Sequence, residues 1–356
     1  MAEPSSALYA GILSQSDALR DVVGRPGPAA RVAAALIGRR VWLVGMGTSH
    51  HAAQIGAHML SQAGLFAIAV GSFEFVQYPR NLGTDDAVVV ISHTGATTYA
   101  REALGLAIAS GAATVVVTGL DSTFGEGTPR LLTTVPEKSA TYTVSYLAAL
   151  AALALTACKV ADLLGRPLAG WREALRAVPE AIGNVQALAE KMRASAGLVA
   201  ARGRLVLVGA GPNAATAREG ALKVKESCYL VAEGFEVETF LHGGLQAVEA
   251  GDLAVVIAVA GPGLHRMRDA ARALALVGAR LLLVVDQAAE AALADVIGSD
   301  VSIVRVPDLP EALSPLVTTV PLQILAALTA ETLGTNADDF RCGEPRFGKL
   351  YAEVTL

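Results

Sequence analysis

Glu219, Lys223 and Glu226 recur at i, i+4 and i+7 in a stretch with helical patterning, so all three project from one face. Two carboxylates beside an ammonium form either a surface ion-pair lattice or an acid–base device. Sixteen residues beyond Glu226 stands His242, in the Gly-flanked run Leu241-His242-Gly243-Gly244-Leu245. The C1/C2 proton transfer that interconverts an aldose and a ketose needs one base working near neutral pH. Opening the sugar ring needs a second group, and a Glu with a His meets both needs.

A second set of residues suits an anion. Gly47-Thr48-Ser49 follows an apolar run, and so does Ser92-His93-Thr94-Gly95-Ala96-Thr97. Hydroxyls and backbone N–H groups at a helix N-terminus can hold a phosphate or sulfonate without any arginine. Single Ser or Thr residues usually cap helices; two hydroxyl-rich loops at neighbouring strand ends point to an anion site. Gly209-Ala210-Gly211-Pro212-Asn213-Ala214 fits the dinucleotide pattern G-x-G-x-x-A, a weak match alone. The chain reads as still helical at Glu226 and Glu233, where that pattern wants a strand ending in an acid, so a dinucleotide is not expected.

The elements that must position these groups come twice. Val41–Val44 runs into Gly45-Met46-Gly47, and Leu205–Val208 into Gly209-Ala210-Gly211, each followed by an Ala-rich helical stretch. The pattern echoes at 86–92 and 252–259, then at 114–118 and 281–285, after helices ending at Gly111 and Gly278. Continuous apolar strands separated by helices mean parallel sheets buried on both faces. The expected organisation is an α/β protein with a helical segment over 1–34 and a first β-α-β-α-β domain over 35–165. Connecting helices over 166–197 and a second such domain over 198–335 follow. A tail over 336–356 shows no clear periodicity, yet carries Arg341, Glu344, Arg346 and Lys349.

Bulk properties exclude several classes. The 356 residues carry 28 Lys+Arg and 33 Asp+Glu, a net charge of −5 with no basic run, so nucleic acid is not an expected partner. Cys158, Cys228 and Cys342 are too widely spaced for a zinc knuckle or a disulfide framework. No metal or cofactor is expected, and a reducing cytoplasm is. No apolar leader follows the N-terminus. Ser139 to Cys158 is an uncharged stretch of membrane-spanning length, but it sits within strand–helix alternation and reads as a buried core helix, with no second span.

Gly220-Ala221-Leu222-Lys223-Val224-Lys225-Glu226 and Leu241–Leu245 resemble the corresponding motifs of the isomerase half of glucosamine-6-phosphate synthase, of the double sugar-isomerase (SIS) family. Thr48 and Ser49, the 92–97 loop, Val320-Pro321-Leu322-Gln323 and Pro345-Arg346 with Lys349 add to the likeness, which runs from about residue 40 to the end. It implies two tandem SIS domains, each a flavodoxin-like parallel sheet flanked by helices, with the C-terminal tail over the active site. It further implies Glu226 as the C1/C2 base, His242 assisting ring opening from a neighbouring subunit of a homodimer, and Lys223 beside the sugar. Lys349 would form a Schiff base with a ketose. Ser92, Thr94 and Thr97 would hold the phosphate, with Gly47, Thr48, Ser49 and His93 also touching substrate. Two departures surround the anion end: the family's S-Q-S-G-E-T loop has Ala96 for its acid, and its A-S-T-K segment aligns with Thr141-Tyr142-Thr143-Val144, without the lysine. No glutaminase domain or N-terminal cysteine nucleophile precedes the first domain, so glutamine-dependent amino transfer by this chain alone is not expected. The expected activity is aldose–ketose isomerisation of an anionic sugar or aminosugar, deaminating or not. The alternatives are a fructosamine-phosphate deglycase and a non-catalytic sugar-phosphate sensor.

Overall fold

Aliphatic runs such as Ala87–Ile91 and Leu253–Ala258 become inner strands, buried at every position because helices cover both faces of their sheets. The computed structural model describes residues 6–78 and 80–354. In chain order, α1 (Ala7–Val23) and α2 (Gly27–Leu36) precede β1 (Arg40–Gly45), α3 (Thr48–Gln62), β2 (Ala67–Gly71) and α4 (Ser72–Gln77). Then come β3 (Asp86–Ile91), α5 (Thr98–Ala109), β4 (Ala113–Thr118), β5 (Arg130–Leu132), α6 (Val144–Leu163), α7 (Trp171–Gln186) and α8 (Arg193–Arg202). The second half runs β6 (Arg204–Gly209), α9 (Pro212–Cys228), β7 (Val231–Glu236), α10 (Val237–Leu241), β8 (Leu253–Ala258) and α11 (Leu264–Leu276). It ends β9 (Arg280–Val285), α12 (Gln287–Ala292), β10 (Val301–Arg305), α13 (Pro315–Leu333) and α14 (Pro345–Glu353).

The first sheet has the order β2-β1-β3-β4-β5 and the second β7-β6-β8-β9-β10, every pair parallel. Both are the flavodoxin-like order 2-1-3-4-5, whose switch point lies between the first and third strands. The register repeats too: Leu43 pairs with Val89 and Leu207 with Val255. Each sheet has five strands rather than the three read from the sequence. Of the extra strands, β5 and β7 are too short or too polar to show as apolar runs, whereas β2 is an apolar run that the sequence reading passed over.

The chain divides into two compact units. The N-terminal unit comprises Ser14–Glu137, Tyr142–Pro179 and the residues from Arg341 on; the C-terminal unit comprises the residues up to Leu13, Lys138–Thr141 and Glu180–Phe340. The stretch expected to connect two domains is thus shared out at Pro179, inside α7.

α6 is a buried core helix, as its composition suggested, but a second apolar helix of membrane-spanning length exists. It is α13, and it too is buried. Gly56 and Gly220 explain how these helices seat. A methyl group on either would stand 2.7 Å from a leucine, Leu153 of α6 or Leu322 of α13. Only glycine there lets α3 and α9 approach so closely.

Candidate functional site

In the N-terminal unit, the turns after β1 and β3 flank the switch point. Gly47 holds φ 53° and ψ −125° at the head of α3, a conformation open to glycine. Thr48 and Ser49 follow in the first helical turn. In the second turn, Ser92 Oγ accepts from Gly95 N at 3.1 Å, and Thr94 Oγ1 from Ala96 N at 3.1 Å. Arg101 Nε donates to Gly95 O at 2.7 Å, and Gly95 sits at φ 66° with Phe124 pressed against it. Thr97 stands at the N-cap of α5 without capping it, so its hydroxyl is not committed to the helix.

Behind these loops lies a cavity of about 30 Å³, lined by Thr48, Ser49, His93, Thr133, Tyr142 and Ser145 among others. That is room for about one water molecule. His93 reaches Thr133 Oγ1 at 3.4 Å through Nδ1 and meets the Tyr142 ring edge-on at 5.5 Å. Burial pushes the imidazole below its ordinary range, opposed more weakly by the Glu137 charge and a hydrogen bond to the Val135 backbone.

Glu137 is a group that the sequence reading passed over. Its carboxylate accepts from the amides of Thr143, Val144 and Ser145 at 2.8–3.0 Å and from both hydroxyls there, capping α6. The signal was an acid six to eight residues ahead of a Thr/Ser-headed apolar helix.

The acid–base residues lie in the C-terminal unit on α9. Lys223 Nζ stands 2.6 Å from Glu226 Oε2 and 3.4 Å from Glu219 Oε1. The Glu219 side chain is 0% exposed, that of Lys223 1% and that of Glu226 21%. The three are therefore not a solvated lattice: two ions are fully buried, and only Glu226 opens outward. The last turn of α9 is pinned by Ser227, whose Oγ donates to Lys223 O at 2.7 Å. Thr335 Oγ1 donates to Ser227 O at 2.8 Å. Glu226 thus sits in the last turn of α9, near the negative end of the helix dipole. Cys228 is no rival nucleophile, since burial pushes its thiol up to about 11.

The second sheet has its own switch point, and it is closed. Gly211 repeats the backbone of Gly47 at φ 53° and ψ −128°. By register, the loop Ser92–Thr97 corresponds to Ala258-Val259-Ala260-Gly261-Pro262-Gly263, which has lost every side-chain donor. The Glu311 carboxyl occupies the space: a methyl on Gly261 would stand 2.6 Å from Oε1, and one on Gly211 3.2 Å.

One sequence argument needs correcting here. The chain around Glu233 is not helical but strand β7, which ends on the acid Glu236. That acid is taken: it accepts from Glu238 N and Thr239 N, both at 3.0 Å, and caps α10. With Glu311 in the crevice, a dinucleotide lacks both its cradle and its ribose acceptor.

His242 ends α10 with its side chain 79% exposed, Nε2 lying 3.4 Å from Glu238 Oε2. Lys349 is also exposed, with Nζ 3.8 Å from Glu353 Oε1. The tail that seemed aperiodic contains α14. Phe347, Leu350, Tyr351 and Val354 follow i, i+3, i+4 and i+7, a helical stripe missed because Pro345 and Gly348 interrupt the composition. Pro345 sits at the head of this helix, where its missing N–H costs nothing. Arg341 and Arg346 both bond Glu344 and stack on the Phe347 ring.

The SIS domain family model matches residues 38–159 and 198–330. The chain belongs to the SIS-domain family. Each SIS match contains one of the two sheets. The chain is 28% identical over 337 residues to an isomerizing glutamine–fructose-6-phosphate aminotransferase of Pyrococcus horikoshii, covering 92% of this chain and 55% of that protein. It thus spans about half the length of the curated relatives it matches, the isomerase region. Among solved structures, the C-terminal domain of glucosamine-fructose-6-phosphate aminotransferase from Francisella tularensis superimposes with a TM-score of 0.86 at 20% identity. That match covers 95% of this chain and 99% of the other. Tagatose-6-phosphate ketose/aldose isomerase from Escherichia coli gives 0.77 at 19% identity, covering 94% and 95%. These likenesses show that the tandem SIS fold is shared.

Proposed function

We propose that this chain is an aldose–ketose isomerase of a phosphorylated hexose or hexosamine, of the glucosamine-6-phosphate or fructose-6-phosphate kind. The observation that carries the reading is the partly open Glu226 carboxylate beside a fully buried Lys223. Glu226 takes the proton from one of C1 and C2, leaving an enediol, and returns it to the other carbon. Lys223 stabilises the negative charge that develops on the substrate oxygens during that step. The Ser92–Thr97 loop, with Gly47, Thr48 and Ser49, takes the anionic group through hydroxyls and the amides at the head of α3. His242, exposed in the single chain, assists ring opening in a neighbouring subunit of a homodimer.

The known relatives support an isomerase of sugar phosphates; the particular sugar rests on the site. By the resemblance, Ala96 and Val144 stand where the family has an acid and a lysine, so the groups around the sugar differ here. The deciding experiment incubates the protein in D2O with hexose 6-phosphates, hexosamine 6-phosphates, sugar sulfonates and fructosamine phosphates, followed by NMR. Deuterium entering C1 or C2 of one sugar phosphate, with appearance of its aldose or ketose partner, is the expected result. Amino-acid release from a fructosamine phosphate without such exchange would replace the isomerase by a deglycase.

A further inference from the structure

The first half of the chain shows what α9 would be if it served the fold alone. Gly56 and Gly220 are equivalent: both press against a leucine of the preceding strand, Leu43 or Leu207, and a leucine of the facing helix. The residue before each is therefore equivalent too, Ile55 in α3 and Glu219 in α9. Three residues past each glycine stand Met59 and Lys223. Ile55 and Met59 are completely buried. The architecture thus builds this helix with two apolar side chains, and packing does not require ions there. Buried ions are costly unless paired, and replacing them by apolar residues often leaves a fold as stable or more so. Lys223 has a role in the reading above; Glu219, fully buried and facing no solvent, has none.

We propose that Glu219 is a positioning residue for proton transfer, the counterion that keeps Lys223 charged and in place while Glu226 carries the substrate's proton. This rests on the isomerase reading. At rest the triad holds two carboxylates and one ammonium, a net charge of −1. When the substrate C–H bond breaks, its electron pair forms the C1–C2 double bond, the carbonyl π pair moves to oxygen as an enediolate, and the proton goes to Glu226. The triad is then neutral, with Lys223 paired to Glu219. Without Glu219, Lys223 would lose the buried carboxylate 3.4 Å from its ammonium, giving up the pairing with Glu226 would cost more, and Glu226 would resist the proton. Glu219 therefore makes Glu226 a stronger base than a simple ion pair with Lys223 allows.

The elements packed around the triad carry charges of their own. Of the elements packed against α9, α13 carries Glu331, which pairs with Arg193; β7 carries Glu233 and the capping Glu236; β6 carries Arg204, paired with Asp252; and β8 carries none. α9 itself adds Arg218 and Lys225.

Two variants test the inference. Glu219→Gln should lower kcat by about 10- to 100-fold, with KM nearly unchanged, and move the acid limb of the pH–kcat profile to lower pH. Glu219→Asp should recover part of both effects. The double substitution Glu219→Ile with Lys223→Met copies the residues of α3; it should fold, melt no lower than the parent, and be inactive. If the double variant is unfolded or melts far below the parent, the buried pair serves the fold and the inference is wrong. It is equally wrong if Glu219→Gln keeps the parent kcat and acid limb while Glu226→Gln abolishes exchange. If the parent exchanges deuterium into no sugar phosphate, the isomerase reading itself falls, and this inference with it.

Discussion

A methyl group placed on Gly261 would stand 2.5 Å from the carboxyl carbon of Glu311, so these two residues compete for one space at the end of β8. Gly261→Ala should therefore overpack the second crevice and cost about 1–3 kcal/mol. In a chain already carrying Glu311→Ala, the methyl enters vacated space and most of the cost disappears. Urea unfolding of the parent, both single variants and the double variant measures the coupling; simple additivity would place the carboxyl elsewhere. Burial alone pushes the Glu311 carboxyl above its ordinary value, favouring the neutral form in the fold. The stability this gives is present below the unfolded carboxylate range and fades as pH rises through the folded value. Glu311→Gln should consequently be at least as stable as the parent at pH 7.5.

His93 makes a prediction of opposite sign. Burial lowers its pKa from the ordinary 6.5, so the folded state holds its proton less firmly than the unfolded one. Stability contributed in this way is full above the unfolded value and falls as pH drops below about 6.5. His58, depressed by burial alone, titrates in the same direction, so the parent curve cannot identify the residue. The difference between parent and His93→Gln can. Measured by thermal unfolding from pH 7.5 to 5, the variant should gain on the parent as pH falls; parallel curves would assign the whole effect to other groups.

The two-sheet architecture was legible because strands buried on both faces must be apolar throughout, and β1, β3, β6 and β8 end in glycine turns or polar loops. The edge strands were not. β7 reads Val-Ala-Glu-Gly-Phe-Glu, which no apolar run betrays, and its acid Glu233 was read as part of a helix. The spacing of Glu219, Lys223 and Glu226 put them on one face, but spacing cannot report depth. That two of them are fully buried, and that α3 has Ile55 and Met59 instead, emerges only when the two halves are laid side by side in register. The Glu137 cap is a contact across a non-repetitive loop, which periodicity does not see.

Glu226→Gln should abolish C1/C2 exchange, since removing a positioned base costs roughly 10²–10⁴ in rate, while sugar-phosphate affinity stays within about tenfold of the parent. Near-parental deuterium incorporation would remove Glu226 from the mechanism. The exposure of His242 gives the companion test. If it acts in a neighbouring subunit, co-assembling inactive Glu226→Gln and His242→Ala chains should regain part of the activity, because one site in each mixed dimer keeps both residues. Mixed dimers verified by mass and still inactive would leave His242 acting within its own chain or not at all.

The tail offers the last prediction. Lys349 lies on α14 with its side chain 75% exposed, while Leu350 of the same helix and Val354 just past its end leave apolar surface open to water. A helix so composed has surface to bury, and Arg346 and Lys349 give it attraction to an anionic sugar. It should move onto substrate, excluding water and bringing Lys349 to the open-chain carbonyl. Desolvation there would favour the neutral amine that attack on a carbonyl requires. Borohydride added in the presence of the ketose substrate should then trap an adduct that peptide mapping places on Lys349. Truncation must spare Asp338, whose carboxylate accepts from Ala7 N and Leu8 N at 2.9 Å and so caps α1. A chain ending at Phe340 should keep its melting temperature within a few degrees and lose its activity. An adduct on Lys223, or none, together with full activity in that shortened chain, would show that α14 is dispensable and that ring opening proceeds without a lysine imine.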